Sequence, residues 1–357
     1  MMTDRECFLA TTNHEQPDRV LYGASFTPDL LQRVQACVGE GNDIGEHFGF
    51  ARYQALTIRR PDDVPPVDYS RYWEGEDLPE GTIFTACGAA RVPSGFYHFF
   101  GYVSPLRNAT SLAEIENYPM DDVSQWDMSG LADDVARGRA EGRICRGSVG
   151  HMYETAWQIR GYQQFLMDTI ERPAWAECLL ERLAQRNLVK ARAYAAAGAD
   201  IVTCGDDVAN QNALMFSPDW WLKQHHSRWC RVWEAVKSEN PDTCIWYHSD
   251  GNVVSIVEHL VAGGVDILNP VQPECVDIAE LHERFGSRLT FDGCIGTQST
   301  MPFGTAADVR NTVRDLIENY ARKGGLMLAP THILEPEVPI ANIQAFADAC
   351  REYGPVR

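Results

Sequence analysis

The segment CIWYHSDGN, residues 244–252, carries a histidine and a carboxylate two positions apart, directly after a run that favours a buried strand. His248 and Asp250 offer a ring nitrogen and a carboxylate oxygen, which are ligand types that zinc accepts. A histidine hydrogen-bonded in a turn, followed by an aspartate that caps the next helix, would give the same pattern. The segment therefore indicates either a metal site or a satisfied turn, and its surroundings must decide.

Carboxylates follow two other apolar runs. Asp206 and Asp207 end ADIVTCGDD, and neighbouring side chains of a strand point in opposite directions, so one of them should face the site. We expect that residue to be Asp207, with Asp206 as its close rival. Glu154 opens a helix after RICRGSVGH, where it either transfers protons or only favours the helix dipole. Asp207 and Glu154 are therefore the expected catalytic residues.

Two further residues are capable of binding a metal. Cys294 lies in FDGCIGTQ, and its thiolate would bind zinc well, although cysteine is often a small buried core residue. His332 ends GLMLAPTH and could instead cap the loop before Pro336. We expect both to complete a metal set with His248 and Asp250.

Side chains that bind a substrate are expected near the same strand ends. Arg160 can pair with Glu154 or reach a substrate carboxylate, and the aromatic run 96–102 can line an apolar pocket or form the buried face of a hairpin. His225 and His226 lie in mid-helix and are expected on the surface, without a role. The expected substrate-binding residues are Tyr97, Trp157, Arg160, Asn269 and Gln298.

These residues need a scaffold that brings strand ends together. Near-continuous apolar strands that alternate with amphipathic helices indicate βαβ units of a parallel sheet covered on both faces. With an early strand at 19–26, the chain approaches the eight units of a TIM (β/α)8 barrel, whose chemistry lies at the C-terminal strand ends. Six segments show this pattern of a strand, polar residues and a helix: 143–151, 199–207, 244–251, 265–272, 289–296 and 325–332.

A Rossmann fold is the alternative, but it would need a glycine-rich phosphate loop, and GASFTPDLL after the first strand has no GxGxxG. Residues 50–140 do not show this alternation of strands and helices. They are expected to form an insertion, a flap or β-hairpin near the catalytic mouth, which is the end of the barrel at which the strands finish. We therefore predict one α/β domain over residues 1–357, a TIM barrel with an N-terminal extension. Thr305 and Asp308 predict a capping box at the start of one of its helices.

The composition restricts the partners of this 357-residue chain. Fifty acidic against 31 basic residues give a net charge of −19, which repels nucleic acids and anionic membranes at long range. Eleven cysteines without a CxxC pair favour a reducing compartment over a disulfide framework. The first residues lack the apolar stretch of a signal peptide, and no run approaches the roughly 20 apolar residues of a membrane span. We expect a cytoplasmic enzyme and leave a homodimer open.

Several linked segments resemble the uroporphyrinogen decarboxylase superfamily. The earlier segments NHEQPDRV and SPLRNATSLAEIENYPMDD agree, so the resemblance covers nearly the whole chain. It implies a TIM barrel with the site at its C-terminal mouth. The segments that carry it are GDDVANQNALMFSPDWW, HSDGNVVSIVEHLVAGGVDILNPVQP, FDGCIGTQSTMPFGT and GGLMLAPTHILEPEVPIANIQAF.

The superfamily that this chain resembles contains two chemistries. True uroporphyrinogen decarboxylases use no cofactor and hold a polycarboxylate through an arginine-rich N-terminal segment, which VLYGASFTPDLLQRV lacks. Cobalamin-dependent methyltransferases move methyl groups between a small molecule and a corrinoid protein, many of them with zinc. Thiol-methylating members hold that zinc by His-x-Cys and a later Cys, where this sequence has His248-x-Asp250 and, nearby, His332. This departure favours the demethylating members.

The resemblance thus implies a zinc-assisted methyltransferase that takes a methyl group from a small methoxylated donor, such as an aromatic one. The acceptor would be cob(I)alamin, which becomes methylcobalamin, supplied by a separate corrinoid protein because the chain has no DxHxxG motif. One alternative is a metal-free decarboxylase of a small or porphyrin-like carboxylic acid, with Arg146, Arg160 and Lys323 as its basic groups. Another is a non-catalytic binding protein on a degenerate barrel.

Overall fold

The computed structural model describes residues 1–94 and 100–355, which form an α/β fold. The strands of these residues are β1 (Tyr53–Leu56), β2 (Ile83–Phe84), β3 (Ala90–Pro93), β4 (Phe100–Val103), β5 (Ile144–Gly150), β6 (Ile201–Gly205), β7 (Cys244–His248), β8 (Ile267–Val271), β9 (Thr290–Ile295) and β10 (Leu326–Pro330). Their helices are α1 (Asp4–Thr12), α2 (Pro28–Val38), α3 (Ile44–Phe48), α4 (Leu112–Glu116), α5 (Leu131–Ala140), α6 (Tyr153–Arg160), α7 (Tyr162–Glu171), α8 (Pro173–Ala196), α9 (Pro218–Trp220), α10 (Ser227–Glu239), α11 (Val257–Gly263), α12 (Ile278–Phe285), α13 (Thr300–Phe303), α14 (Ala306–Tyr320) and α15 (Ile340–Tyr353). Short 3₁₀ turns and one π-helical turn complete them: Ser70–Tyr72, Val123–Gln125, Val254–Ile256 and, as the π-helix, Trp221–His226.

Seven strands form one sheet in the order β1-β5-β6-β7-β8-β9-β10, and all of these pairings are parallel. The N-terminal segment 21–23 bonds to β10 at one edge of this sheet and to Ala51, which lies just before β1 at the other edge. Leu328 N donates to Leu21 O over 2.9 Å, and Ala51 N donates to Tyr22 O over 2.9 Å. The sheet therefore curls into a TIM-like barrel, in which the predicted early strand is reduced to isolated bridges.

Helix α1 closes the end of the barrel at which the strands begin. Thr3 and Glu6 form a capping box that fixes the first turn of this helix. Cys7 and Phe8 are fully buried against the apolar residues at the lower end of the barrel, which include Ile144, Ile201, Cys244 and Ile267. Because apolar packing closes this end of the barrel, we expect the polar side chains of a functional site at the other end, where the strands finish.

The outer helices cover the sheet with a second apolar layer. Trp229 and Trp233 of α10 are buried and pack edge-on against Tyr247 of β7, with ring centroids 6.4 and 5.7 Å apart. The predicted capping box of Thr305 and Asp308 is present at the start of α14. Among the described helices, none combines the length and the apolar character that a membrane crossing requires.

The segment predicted as an insertion, 50–140, is only partly one. Its first strand, β1, belongs to the barrel, and α5 packs against β1 and β5. Between them, β2, β3 and β4 form a separate antiparallel sheet. Tyr102 of this small sheet lies edge-on against Trp157 of α6, with ring centroids 5.1 Å apart. Because α6 follows β5, the small sheet lies beside the C-terminal ends of the barrel strands.

Candidate functional site

The C-terminal ends of β6 and β7 bring three potential metal ligands together. Asp207 follows β6, His248 ends β7, and Asp250 lies two residues later. One ligand atom from each lies within 4.8 Å of the others, and His248 Nε2 is 3.5 Å from Asp207 Oδ1. The strands approach this closely because Gly205 has no side chain, since a Cβ there would lie 2.2 Å from the His248 carbonyl oxygen. These three residues are called the mouth cluster below.

Asn269 and Asp292 orient the imidazole of His248. His248 Nδ1 lies 2.8 Å from Asn269 Oδ1, and Asn269 Nδ2 donates to Asp292 Oδ2 over 3.0 Å. The Trp246 indole donates to the same carboxylate oxygen over 2.7 Å and stacks on the imidazole at a centroid distance of 5.7 Å. Because the asparagine presents its oxygen, the proton belongs on His248 Nδ1, and Nε2 is left as an acceptor or metal ligand.

Asn269→Ala should weaken zinc binding by about 10- to 100-fold, because the imidazole loses the partner that fixes its tautomer and orientation. Competition against a chromophoric chelator measures the change. Asn319→Ala, which removes an exposed asparagine of α14, is the control and should leave zinc affinity unchanged. Wild-type affinity in Asn269→Ala would show that this amide does not orient the ligand.

The two carboxylates of the mouth cluster repel each other. The backbone N–H of Asp250 donates to Asp207 Oδ1 over 2.9 Å, which keeps the side chains close. Burial and the charge of Asp207 raise the pKa of Asp250, although His248 and His332 partly oppose this shift. A cation placed between the carboxylates would remove the repulsion. The mouth cluster therefore has the charge and the donor atoms that could hold a cation.

Asp206 is fully buried and holds the backbone around the site. Its Oδ1 accepts from the N–H groups of Met152 (2.8 Å) and Glu154 (3.0 Å). Its Oδ2 accepts from the rings of His225 (2.8 Å) and Trp229 (3.1 Å). Burial raises the pKa of Asp206, but the hydrogen bond and charge of His225 outweigh this and lower it overall. Asp206 thus anchors the start of α6, and its neighbour Asp207 is the aspartate at the mouth.

His151 and Glu154 form a polar pair beside the mouth cluster. His151 Nδ1 lies 3.0 Å from Glu154 Oε1, and the same carboxylate oxygen accepts from the Asp207 N–H over 3.3 Å. Burial lowers the pKa of His151, but the hydrogen bond and charge of Glu154, with the charges of Asp206 and Asp207, outweigh it and raise the pKa to about 9. The His151 ring is therefore protonated at neutral pH, and Glu154 lies between it and Asp207.

A cavity of about 920 Å³ runs along the barrel interior, a size that suits a small-molecule site. It reaches from His332, after β10, down to Arg143, just before β5. His332 is exposed at the rim, and its charge is close enough to lower the pKa of Asp250. His248 opens onto this cavity from the mouth cluster. The cavity therefore adjoins the mouth cluster through His248, whereas Asp207 and Asp250 do not line it.

Two predicted site residues serve the core instead. Cys294 is 3% exposed, does not line the cavity, and has its pKa raised well above the usual range by burial. Such a thiol is a poor source of the thiolate that a metal needs. Arg160 is 2% exposed and is held by Asp168 Oδ2 at 2.6 Å and by Leu106 O at 2.5 Å. Its Nε and one Nη are therefore used inside the fold, and Arg160 does not line the cavity.

The remaining predicted substrate-binding residues are dispersed. Asn269 lines the cavity and bonds to His248. Trp157 is half-buried against the small sheet, and Gln298 is exposed in the loop after β9. Tyr97 lies outside the described residues.

Sequence reasoning missed the residues that support the site. The prediction that His225 lies on the surface is wrong, since it is fully buried against Asp206. A signal existed, because Trp221, His225 and Trp229 are spaced four apart and share one helix face. Asp292 was missed although it lies within a strand, at a position that can face the barrel interior.

Comparisons with known proteins agree on family and fold. Residues 108–353 match the uroporphyrinogen decarboxylase (URO-D) family. The methylcobamide:CoM methyltransferase MtaA of Methanosarcina barkeri is 26% identical over 192 residues, 54% of this chain and 53% of that protein, so the chain spans about half the length of this curated relative. The structure of a methyltransferase from Methanosarcina mazei has a TM-score of 0.67 at 18% identity, with 99% of both chains covered, which shows a shared fold.

Proposed function

Because the chain belongs to the uroporphyrinogen decarboxylase (URO-D) family, we propose that it acts in that family as a corrinoid-dependent methyltransferase. It takes a methyl group from a small methoxylated donor and passes it to a cobalamin on a separate corrinoid protein. The mouth cluster carries this proposal, because a metal centre at the strand ends suits the activation of a methyl donor. The name of the MtaA relative, a methylcobamide:CoM methyltransferase, supports the reaction type.

Asp207, His248 and Asp250 are the residues that would hold zinc. Two carboxylate oxygens and one ring nitrogen within 4.8 Å can meet a single ion and leave a position open to the substrate, as in catalytic zinc sites. His332 lies on the rim of the same cavity as a further candidate, whereas Cys294 does not reach the cluster. Without sulfur, this set also suits harder divalent ions. When bound, the ion would supply a Lewis acid at the donor oxygen.

Glu154 is the proposed proton donor. As the methyl group leaves, the donor oxygen keeps the bonding electron pair and needs a proton to end as a hydroxyl group. Glu154 lies beside Asp207 and can pass on a proton from His151, whose ring is 3.0 Å away. The Trp246 indole, stacked on His248, offers an apolar wall for an aromatic donor.

Glu154→Gln should lower the turnover of methyl transfer by about 100-fold or more, because the amide keeps the size of the side chain but cannot relay a proton. Zinc content should stay at the wild-type level. The rate of cob(I)alamin methylation measures the effect, with Glu171→Gln at the exposed end of α7 as the control. Full activity in Glu154→Gln would remove this residue from the mechanism.

The proposed reaction is tested with zinc-loaded protein, cob(I)alamin and a panel of methoxylated aromatic and aliphatic compounds. We expect the absorbance of cob(I)alamin to fall. For each cob(I)alamin consumed, one molecule of demethylated product should form. If no compound is demethylated and carbon dioxide is released from carboxylic acids without corrinoid, the protein is a decarboxylase instead.

A further inference from the structure

Arg146 of β5 has a guanidinium group that lies over an aromatic ring but forms no ion pair among the described residues. It lines this cavity and is exposed to the space within it. Its guanidinium carbon lies 4.7 Å from the centroid of the Tyr53 ring. In the described part of the chain, no carboxylate, carbonyl or other acceptor is hydrogen-bonded to this group or paired with it within 4.0 Å. Its N–H donors therefore have no hydrogen-bond acceptor among the described residues.

The other arginines of the cavity lining are already paired. Arg52 binds Asp4 through its Nε at 2.8 Å, and Arg143 binds Glu141 through an Nη at 2.8 Å. In the described lining, Arg146 is thus the arginine that forms no ion pair, although the Nε of Arg143 also has no hydrogen-bond partner.

Asp292 also faces Arg146 but does not neutralise it. The charge of Arg146 acts to lower the pKa of Asp292, while burial raises that pKa overall. The described Asp292 carboxylate uses its Oδ2 for Trp246 and Asn269 and forms no ion pair with Arg146 within 4.0 Å. The arginine therefore keeps its charge and its hydrogen-bonding capacity for a molecule that enters the cavity.

The strand register places Arg146 below the mouth cluster. Arg146 of β5 pairs with Ile201 of β6, and Ile201 pairs with Cys244 of β7. His248 therefore lies four residues further along the strand direction than Arg146. This separation is about 13 Å along the strand direction at roughly 3.3 Å per residue. Both residues line the same cavity, so a small ring can occupy the space between them.

We infer that Arg146 binds a carboxylate on the methyl donor, so that the substrate class is a small methoxylated carboxylic acid; this inference rests on the proposed function. A planar guanidinium matches a carboxylate through two parallel hydrogen bonds. With a net charge of −19, the protein repels anions at long range, and a local cation is needed to hold one. The methoxy end of the donor then points toward His248, with the ring beside Trp246.

Calorimetric binding of the three methoxybenzoate isomers and of the matching methoxybenzamides, without metal or corrinoid, tests this inference. Wild type should bind at least one methoxybenzoate about 10-fold or more tightly than its neutral amide. Arg146→Gln should weaken binding of the benzoate by about 10- to 100-fold and leave binding of the amide unchanged. Arg146→Lys keeps the charge but loses the planar guanidinium, so its affinity for the benzoate should lie between those of wild type and Arg146→Gln. This variant replaces Arg146→Gln if the glutamine variant does not fold.

Arg284→Gln is the control, since this arginine of α12 is paired with Glu280 and lies outside the cavity lining. It should keep wild-type affinity for the benzoate. The inference is overturned if Arg146→Gln and Arg146→Lys both bind the benzoates as tightly as wild type, or if wild type binds none of them.

The binding measurement and the methyl-transfer assay together separate this inference from the proposed function. If the inference fails, methylation of cob(I)alamin from an uncharged methoxybenzene would still support the methyltransferase. If benzoate binding depends on Arg146 but no methyl transfer occurs, the carboxylate site stands and the proposed reaction falls.

Discussion

Replacing Asp206 by alanine should lower the free energy of unfolding by about 3–5 kcal/mol. The change leaves four buried donors without their acceptor: the N–H groups of Met152 and Glu154 and the rings of His225 and Trp229. The carboxylate is 0% exposed, so solvent cannot replace it without rearrangement of the fold. Urea unfolding followed by tryptophan fluorescence measures the change.

Asp207→Asn is the matched control for this prediction. The side chain of Asp207 is 41% exposed and accepts a hydrogen bond from the backbone N–H of Asp250, which an amide oxygen can also accept. Its effect on unfolding should stay within about 0.5 kcal/mol. If the variants at positions 206 and 207 are equally stable, Asp206 does not anchor the site.

The contribution of Asp206 should also disappear in acid. Its pKa is lower in the folded than in the unfolded protein, so the ionised form stabilises the fold at pH values above the unfolded pKa of about 3.9. This stability is lost as the pH falls through the folded pKa. The difference in unfolding free energy between wild type and Asp206→Asn should therefore be large near neutral pH and shrink below about pH 4.

His248→Ala should reduce methyl transfer by about 1,000-fold or more, because a lost Lewis acid removes several kcal/mol of transition-state stabilisation. The variant should remain folded, since His248 is only half-buried and the apolar layers around it are unchanged. The rate of cob(I)alamin methylation with a saturating donor measures the loss, and thermal unfolding checks the fold.

His259→Ala is the control for this loss, because His259 is an exposed histidine of α11 outside the cavity lining. It should keep wild-type turnover. Activity of His248→Ala within about 10-fold of wild type would mean that His248 does not hold an essential ion.

The barrel could be predicted from the sequence where its strands are buried on both faces. The six predicted segments of the second half contain β5 to β10. Strand β1 was not predicted, because it is only four residues long and partly exposed and therefore lacks a continuous apolar run. The segment at 19–26 was predicted as a strand, but it forms only isolated bridges, of which that of Tyr22 to Leu328 reaches β10. Pairing of this kind depends on closure of the whole ring, which local sequence does not encode.

The sequence indicated site residues only where a side chain that can bind a metal or transfer a proton directly follows a predicted strand. His248, Asp250 and Asp207 follow directly from that rule, and the structure brings them together. Cys294 obeys the same rule but is buried in the core. Its backbone φ of 71° departs from a regular strand, so the alternation of side chains that the prediction used does not hold there. His225 comes from a helix, which a search of strand ends does not examine.

Metal content of the wild-type protein, purified without a His tag and loaded with zinc, tests the mouth cluster most directly. We expect about one zinc ion per chain in wild type, as three converging protein ligands require, and little or none in His248→Ala. No zinc in the loaded wild type, or an undiminished zinc content in His248→Ala, would contradict the metal centre. Asp207, His248 and Asp250 would then act as acid–base or substrate-binding groups of a metal-free enzyme.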